Sequence, residues 1–233
     1  MFKNYLTGEP ESDRIHAKIH RCLAILERVF GIPEWNSTNP VDELILTILS
    51  QNTNDRNRDQ AFRRLRSIFP TWEEVASADL NEIEAAIRSA GLAGQKSICI
   101  MEILRWIRES FGGYTLDPLR DLTDDEAIDL LLERRGIGIK TAAVLLAFSF
   151  GRDLCPVDTH VHRIARRLGW VGSKIDAVKT FYILRPLISV GKAVAFHLNL
   201  LKFGRKICTA RNPGCGECPL WHECVWSEKP PKT

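Results

Sequence analysis

Apolar residues recur at helical spacing along nearly the whole chain. Ile15, Ile19, Leu23, Leu26 and Phe30 fall three or four apart and predict a helix over 14–30. Gly31-Ile32-Pro33 ends it, and 34–40 reads as a loop and a candidate domain crossing. A strongly apolar helix follows over 41–50, then a polar break, Gln51-Asn52-Thr53-Asn54-Asp55. The next helix, 55–69, buries Ala61, Leu65 and Phe69 and turns five arginines (Arg56, Arg58, Arg63, Arg64 and Arg66) to solvent. Asp55 is expected to cap it. Thr71 with Glu74, and Thr123 with Glu126, have the spacing of capping boxes, and Asp79 is placed to cap a helix running to 90. A helix over 96–111 stops at Gly112-Gly113, and 114–122 reads as a loop around Pro118. Beyond Asp158, a helix carries Ile164, Ala165 and Leu168 inward and Arg163, Arg166 and Arg167 outward. Helices over 174–188 and 193–205 complete the pattern. No stretch alternates with the period of a strand, so the chain reads as all-α, about ten helices joined by short loops.

One stretch does not read as packing alone. The helix begun by Thr123 runs apolar through Ile128, Leu131 and Leu132, then meets Gly136 and Gly138. Both glycines allow the positive φ of a tight reversal. A second apolar helix starts near Lys140 and continues through Val144, Leu145 and Phe148. Backbone N–H groups at such a helix start, from Gly136 to Ile139, can receive a phosphate. Lys140 stands at the positive end of the helix dipole, which disfavours an ammonium and suits an amine nucleophile. Asp158 is placed as an N-cap. A carboxylate fixed there is also a negative charge able to support a cationic transition state. Gln51 and Asn52 are polar amides directly after a buried helix, and capping does not explain them. Leu92, between glycines in Gly91-Leu92-Ala93-Gly94-Gln95-Lys96, is either an ordinary exposed leucine or a wedge between base pairs.

The 233 residues suit one large or two small domains, and a net charge of +3 neither demands nor excludes nucleic acid. Residues 1–14 are polar, with no apolar signal region, and no run is long enough to span a membrane, so a soluble intracellular protein is expected. Of seven cysteines, Cys22, Cys99 and Cys155 are scattered among apolar neighbours. The other four, Cys208, Cys215, Cys218 and Cys224, are separated by six, two and five residues. That is a metal site rather than a disulfide framework. Spacing alone leaves structural zinc and iron–sulfur both open. Lys202, Arg205, Lys206 and Arg211 crowd the segment; cations there offset thiolate charge and can meet phosphates.

Taken together, Gly136-Ile137-Gly138-Ile139-Lys140, Val157-Asp158-Thr159-His160 and the cysteine gaps resemble endonuclease III and the helix-hairpin-helix DNA glycosylases, over roughly 41–224. The resemblance implies two α-helical domains with DNA bound in a cleft. A six-helix domain would span 39–153, and a second domain, 1–38 with 154–233, would hold a [4Fe-4S] cluster on the four cysteines. Structural zinc is then the lesser alternative. It further implies a base excision repair enzyme that flips out a damaged base, removes it, and nicks the strand by β-elimination. Lys140 matches the Schiff-base lysine and Asp158 the catalytic aspartate. Asn52, beside Gln51, matches the residue that fills the gap, and Leu92 lies on the wedge loop. Gln51, Lys96, Gly136, Gly138, Ile139 and Arg211 would contact DNA. The partner would be duplex DNA carrying a damaged or modified base, with no membrane, and the protein a monomer, cytoplasmic near the nucleoid or else nuclear.

Two departures bear on the substrate. Arg135 stands where the family often has proline before the hairpin glycine. Gln51-Asn52-Thr53-Asn54-Asp55 and Arg163 to Trp170 are more similar to the DEMETER-type 5-methylcytosine glycosylases. Oxidised pyrimidines are the first expectation, with uracil or thymine mismatches and 5-methylcytosine as alternatives. A non-catalytic DNA-binding module is the alternative from another class, and it leaves Lys140 and Asp158 without a use.

Overall fold

The computed structural model describes residues 9–230, with side chains from residue 12 onward. Among the described residues there are eleven α-helices and no strand. They are α1 (Glu9–Phe30), α2 (Pro40–Ser50), α3 (Asp55–Ile68), α4 (Trp72–Ser77), α5 (Leu80–Ile87), α6 (Ala93–Phe111), α7 (Asp124–Leu132), α8 (Ile139–Phe150), α9 (Thr159–Arg167), α10 (Ala177–Leu184) and α11 (Ala193–Lys206). Among the described residues no helix is long and apolar enough to cross a membrane.

The chain divides into two compact units, Ser37–Arg152 and Met1–Asn36 with Asp153–Thr233. In the first, α2 packs on α8, α3 on α2 and α5, α5 on α6, and α7 on α8. Leu44, Ile45, Ile48 and Leu49 of α2 are fully buried, as are Ala142, Ala143, Leu145 and Leu146 of α8. Each such leucine or isoleucine contributes about 1.5–3 kcal/mol by leaving water. The alanines let the two helices approach. Arg152 binds the turn before α7, donating to the carbonyls of Leu119 (3.0 Å) and Leu122 (2.7 Å) and to Asp124 (2.9 Å).

In the second unit, α11 packs on α1 and α9. Phe196, Leu200 and Phe203 form its buried face, and the Trp170 ring lies 5.4 Å from that of Phe196. No side chain of Lys192 caps α11. The Asp153 carboxylate takes that role, accepting from the N–H of Gly191 (2.6 Å) and of Ala193 (2.9 Å).

The expected capping boxes at Thr71 and Thr123 are present, and Asp79 caps α5 as expected, with Glu82 completing a third box. Several expected boundaries shift. α1 starts five residues earlier than the expected residue 14, because the polar turn before Ile15 is helical too. α6 starts at Ala93 rather than 96, since Leu92 in the left-handed region already turns the chain. The segment expected as loop holds a 3₁₀ turn, Asp117–Asp121. Asn54, not Asp55, caps α3: its side chain accepts from the N–H of Asn57 at 2.9 Å. The last part of 174–188 is a 3₁₀ turn at Pro186, which cannot continue the α-helical ladder.

Candidate active site and cysteine centre

The hairpin between α7 and α8 turns on one glycine. Gly136 has φ +85°, a value that strains any side chain, while Gly138 has φ −99° and needs no such freedom. The expectation of a positive φ at both is thus met only at Gly136. Ile137 and Ile139 are buried and anchor the turn from either side. Ile139 can therefore meet a phosphate only through its N–H. No side chain caps α8. Among the described residues, the N–H groups of Ile139, Lys140 and Thr141 find no acceptor, an open anion site at a helix start. Lys140 is exposed on that first turn.

Cys99 of α6 lies directly under the reversal. Its thiol donates to the Arg135 carbonyl at 3.5 Å, and a Cβ on Gly136 would collide with its sulfur. Gly136→Ala therefore combines φ strain with a clash, and is expected to destabilise by about 2–4 kcal/mol. Adding Cys99→Ala should recover part of the loss, measured by denaturant unfolding of the two single variants and the double.

Gln51, Asn52, Leu92 and Gly136 border one recess of this unit, with Cys99 and Lys96 deeper in it. Gln51 Nε2 donates to the Gly136 carbonyl at 3.0 Å, tying the loop after α2 to the hairpin. Asn52 (φ +53°) and Leu92 (φ +49°) both sit in the left-handed region without being glycine. Leu92 keeps 53% of its surface exposed. Two strained, outward-facing residues on one rim are a feature of functional loops, where surrounding structure holds the strain.

Lys96 departs from expectation. It is only 4% exposed, and its ammonium donates to the carbonyls of Leu49 and Ala90, each at 2.8 Å. Burial lowers its pKa. It ties α6 to the ends of α2 and α5's following turn, so it cannot contact a DNA phosphate.

In the other unit, Asp158 is the N-cap of α9 and accepts from the N–H of Val161 at 2.8 Å. One carboxylate oxygen is thereby fixed, and the residue stays half-exposed. Arg163 and Arg167, expected to face solvent, instead turn onto the cysteine segment. Arg163 donates to the carbonyls of Cys208 (2.8 Å) and Gly204 (3.0 Å) and lies 3.0 Å from His160 Nδ1. Gly204 permits this approach of α9 to α11, since a Cβ there would collide with His160. Only Arg166 of the three is exposed.

Cys208, Cys215, Cys218 and Cys224 line a single recess, closed by Leu168, Phe203, Trp221 and Trp226 among others. Yet among the described residues no three cysteine, histidine or acidic side chains converge closely enough for one metal ion. Zinc needs its four sulfurs about 2.3 Å from a common centre. Four thiols spread around one apolar-walled recess fit a multi-iron cluster instead. Burial pushes the Cys218 thiol up to about 11 and raises that of Cys215. Ligation must therefore displace their protons. Arg211 is exposed on the loop between Cys208 and Cys215, and its carbonyl accepts from the Thr209 hydroxyl at 2.7 Å. Cys22 and Cys155 are buried, as expected of plain core thiols.

The HhH-GPD superfamily of base excision DNA repair proteins matches residues 45–189, and the iron-sulfur binding domain of endonuclease III matches 208–224. The chain belongs to this superfamily. It is an endonuclease III-type DNA glycosylase and AP lyase with a [4Fe-4S] cluster, and its iron-sulfur match runs from Cys208 to Cys224. It is 36% identical to the endonuclease III of Thermotoga maritima over 187 residues, covering 80% of this chain and 83% of that one. An Arabidopsis thaliana protein provisionally named a DNA glycosylase is 38% identical over 177 residues, covering 76% of this chain and 60% of that protein. DEMETER of Arabidopsis thaliana, named a transcriptional activator, is 29% identical over 170 residues, covering 66% of this chain and 9% of that protein. A solved endonuclease III trapped covalently on DNA superposes with a TM-score of 0.79 at 28% identity, over 90% of this chain and 95% of that one.

The residues missed from the sequence are Cys99, Arg163 and Arg167. His160, Arg163 and Arg167 are spaced to share one face of α9, a pattern legible in hindsight but masked by reading every arginine as solvated. Cys99 carried no sequence signal, because its role depends on which turn lies above it.

Proposed function

We propose that the chain excises an oxidised pyrimidine from duplex DNA as a monomer, with Lys140 as nucleophile and Asp158 as the carboxylate that stabilises positive charge on the sugar. The observation that carries this reading is the exposed Lys140 amine on an uncapped helix start, directly behind the Gly136 reversal. The open N–H groups of Ile139 to Thr141 hold a phosphate near that amine. Asn52 and Leu92 fill the stack vacated by the flipped nucleotide, and Arg211 adds a phosphate contact from the cysteine loop.

Chemistry follows from the amine. The Lys140 lone pair attacks C1′, the glycosidic bond breaks, and the base leaves with that bond's electron pair and then takes a proton. Loss of a proton from nitrogen with opening of the sugar gives a Schiff base. Removal of a C2′ proton then breaks the C3′–O3′ bond and nicks the strand. Asp158 stabilises the cationic character at the sugar. The cluster, when bound, supplies structure to the 208–224 segment rather than a reacting group.

The substrate is tested by excision on duplexes carrying thymine glycol, dihydrouracil, uracil opposite guanine, thymine opposite guanine, or 5-methylcytosine. Preferred cleavage of thymine glycol or dihydrouracil is expected. Preference for 5-methylcytosine, the substrate suggested by the Gln51 to Asp55 segment, or for a mismatch would overturn the assignment.

A further inference from the structure

Arg167 holds both ends of the cysteine segment. Its guanidinium donates to the Cys208 sulfur at 3.3 Å and to the carbonyls of Thr209 (2.7 Å) and Ala210 (3.3 Å). Its own carbonyl accepts from the N–H of Val225 at 3.0 Å, just past Cys224. The guanidinium also lies 4.0 Å above the Trp226 ring. The first ligand, the residue after the last ligand, and an aromatic wall of the recess thus all meet at one residue. A second cation behaves differently. Lys229 lies 4.1 Å over the Trp221 ring and donates to the carbonyls of Cys224 (2.6 Å) and Trp221 (3.1 Å), and, among the described residues, to no sulfur.

From this geometry we infer that Arg167 is the residue that protects the cluster from oxidation, through its N–H bond to the Cys208 sulfur. This rests on the four cysteines holding the cluster, not on the assignment of Lys140 or the substrate. A [4Fe-4S] core on four thiolates is more negative before a one-electron oxidation than after it. A cation with an N–H on a ligand sulfur stabilises the more negative state and so raises the potential. Because Trp226 and the carbonyls of Thr209 and Ala210 fix the guanidinium, it has little freedom to leave the sulfur. Arg167 is thus a positioning residue of the centre, with no contact to substrate required.

The test is a titration of the purified, cluster-loaded protein with mixtures of ferricyanide and ferrocyanide, followed by the cluster's visible absorbance and electron paramagnetic resonance. One electron passes from the 2+ core, giving a 3+ core and ferrocyanide. For Arg167→Gln, the ratio of oxidised to intact cluster at a fixed mixture should rise about tenfold, equivalent to a potential lower by about 59 mV for one electron. Arg167→Lys, which keeps charge but loses the fork, should fall between. Lys229→Gln should change the ratio less than Arg167→Gln. An unchanged ratio in Arg167→Gln at normal cluster content, or an equal shift in Lys229→Gln, would overturn the inference. Should neither Arg167 variant load the cluster, the native protein decides. With arginine labelled by nitrogen-15, pulsed resonance of the paramagnetic cluster must show a coupled arginine nitrogen, and its absence would contradict the inference.

Discussion

Lys140→Gln loses base excision and strand cleavage by roughly 10⁴-fold or more, while the protein folds and binds duplex DNA as before. Loss of a covalent nucleophile ordinarily costs this much, because the remaining groups have no bond-forming step left to assist. Folding is spared for a structural reason. Lys140 is exposed on the first turn of α8, and glutamine has nearly the helix propensity of lysine, so the change should stay within about 0.5 kcal/mol. Binding is spared because the proposed phosphate site consists of backbone N–H groups, from Ile139 to Thr141, that the substitution leaves in place. Single-turnover cleavage, gel-shift affinity and thermal melting of the same preparation check all three statements. A variant with unchanged cleavage would remove Lys140 from the chemistry.

Asp158→Asn slows turnover by about 10²–10³-fold with almost no change in Tm. The proposed chemistry gives the carboxylate a second role beside the cap, and the two are separable. As N-cap of α9 it accepts from Val161 N–H, and asparagine caps about as well, so only a few tenths of a kcal/mol are at stake. As a fixed negative charge it stabilises the developing sugar cation, and asparagine carries no charge; removing one such preorganised group typically costs about 10²–10³ in kcat. Asp158→Ala separates the roles. It should match Asp158→Asn in rate and in addition lose about 1 kcal/mol of stability. A large fall in Tm for Asp158→Asn, with the rate per folded molecule preserved, would make the residue a cap alone.

Much of the fold was legible because it is built from local signals. Capping boxes at Thr71, Asp79 and Thr123 depend on residues three apart, and the buried faces of α2 and α8 follow from helical spacing. What failed was long-range. Lys96 reads as a surface cation at the end of a polar turn, yet two orphan carbonyls at helix ends enclose its ammonium. Arg163 and Arg167 read as a solvated face, yet the carbonyls of the segment after α11 draw them in. No pattern on α9 reveals acceptors supplied some forty residues later. Gly138 shows the reverse case: a glycine whose conformation did not need glycine, where only its neighbour Gly136 required it.

The central claim is that Lys140 forms the covalent bond to DNA. It is tested most directly by treating the native protein with borohydride on a duplex containing an abasic site, digesting the trapped complex, and locating the modified residue by mass spectrometry. The sugar remnant should lie on the peptide containing Lys140, and Lys140→Gln should give no trapped complex. A remnant on any other amine, or undiminished trapping by Lys140→Gln, would contradict the account.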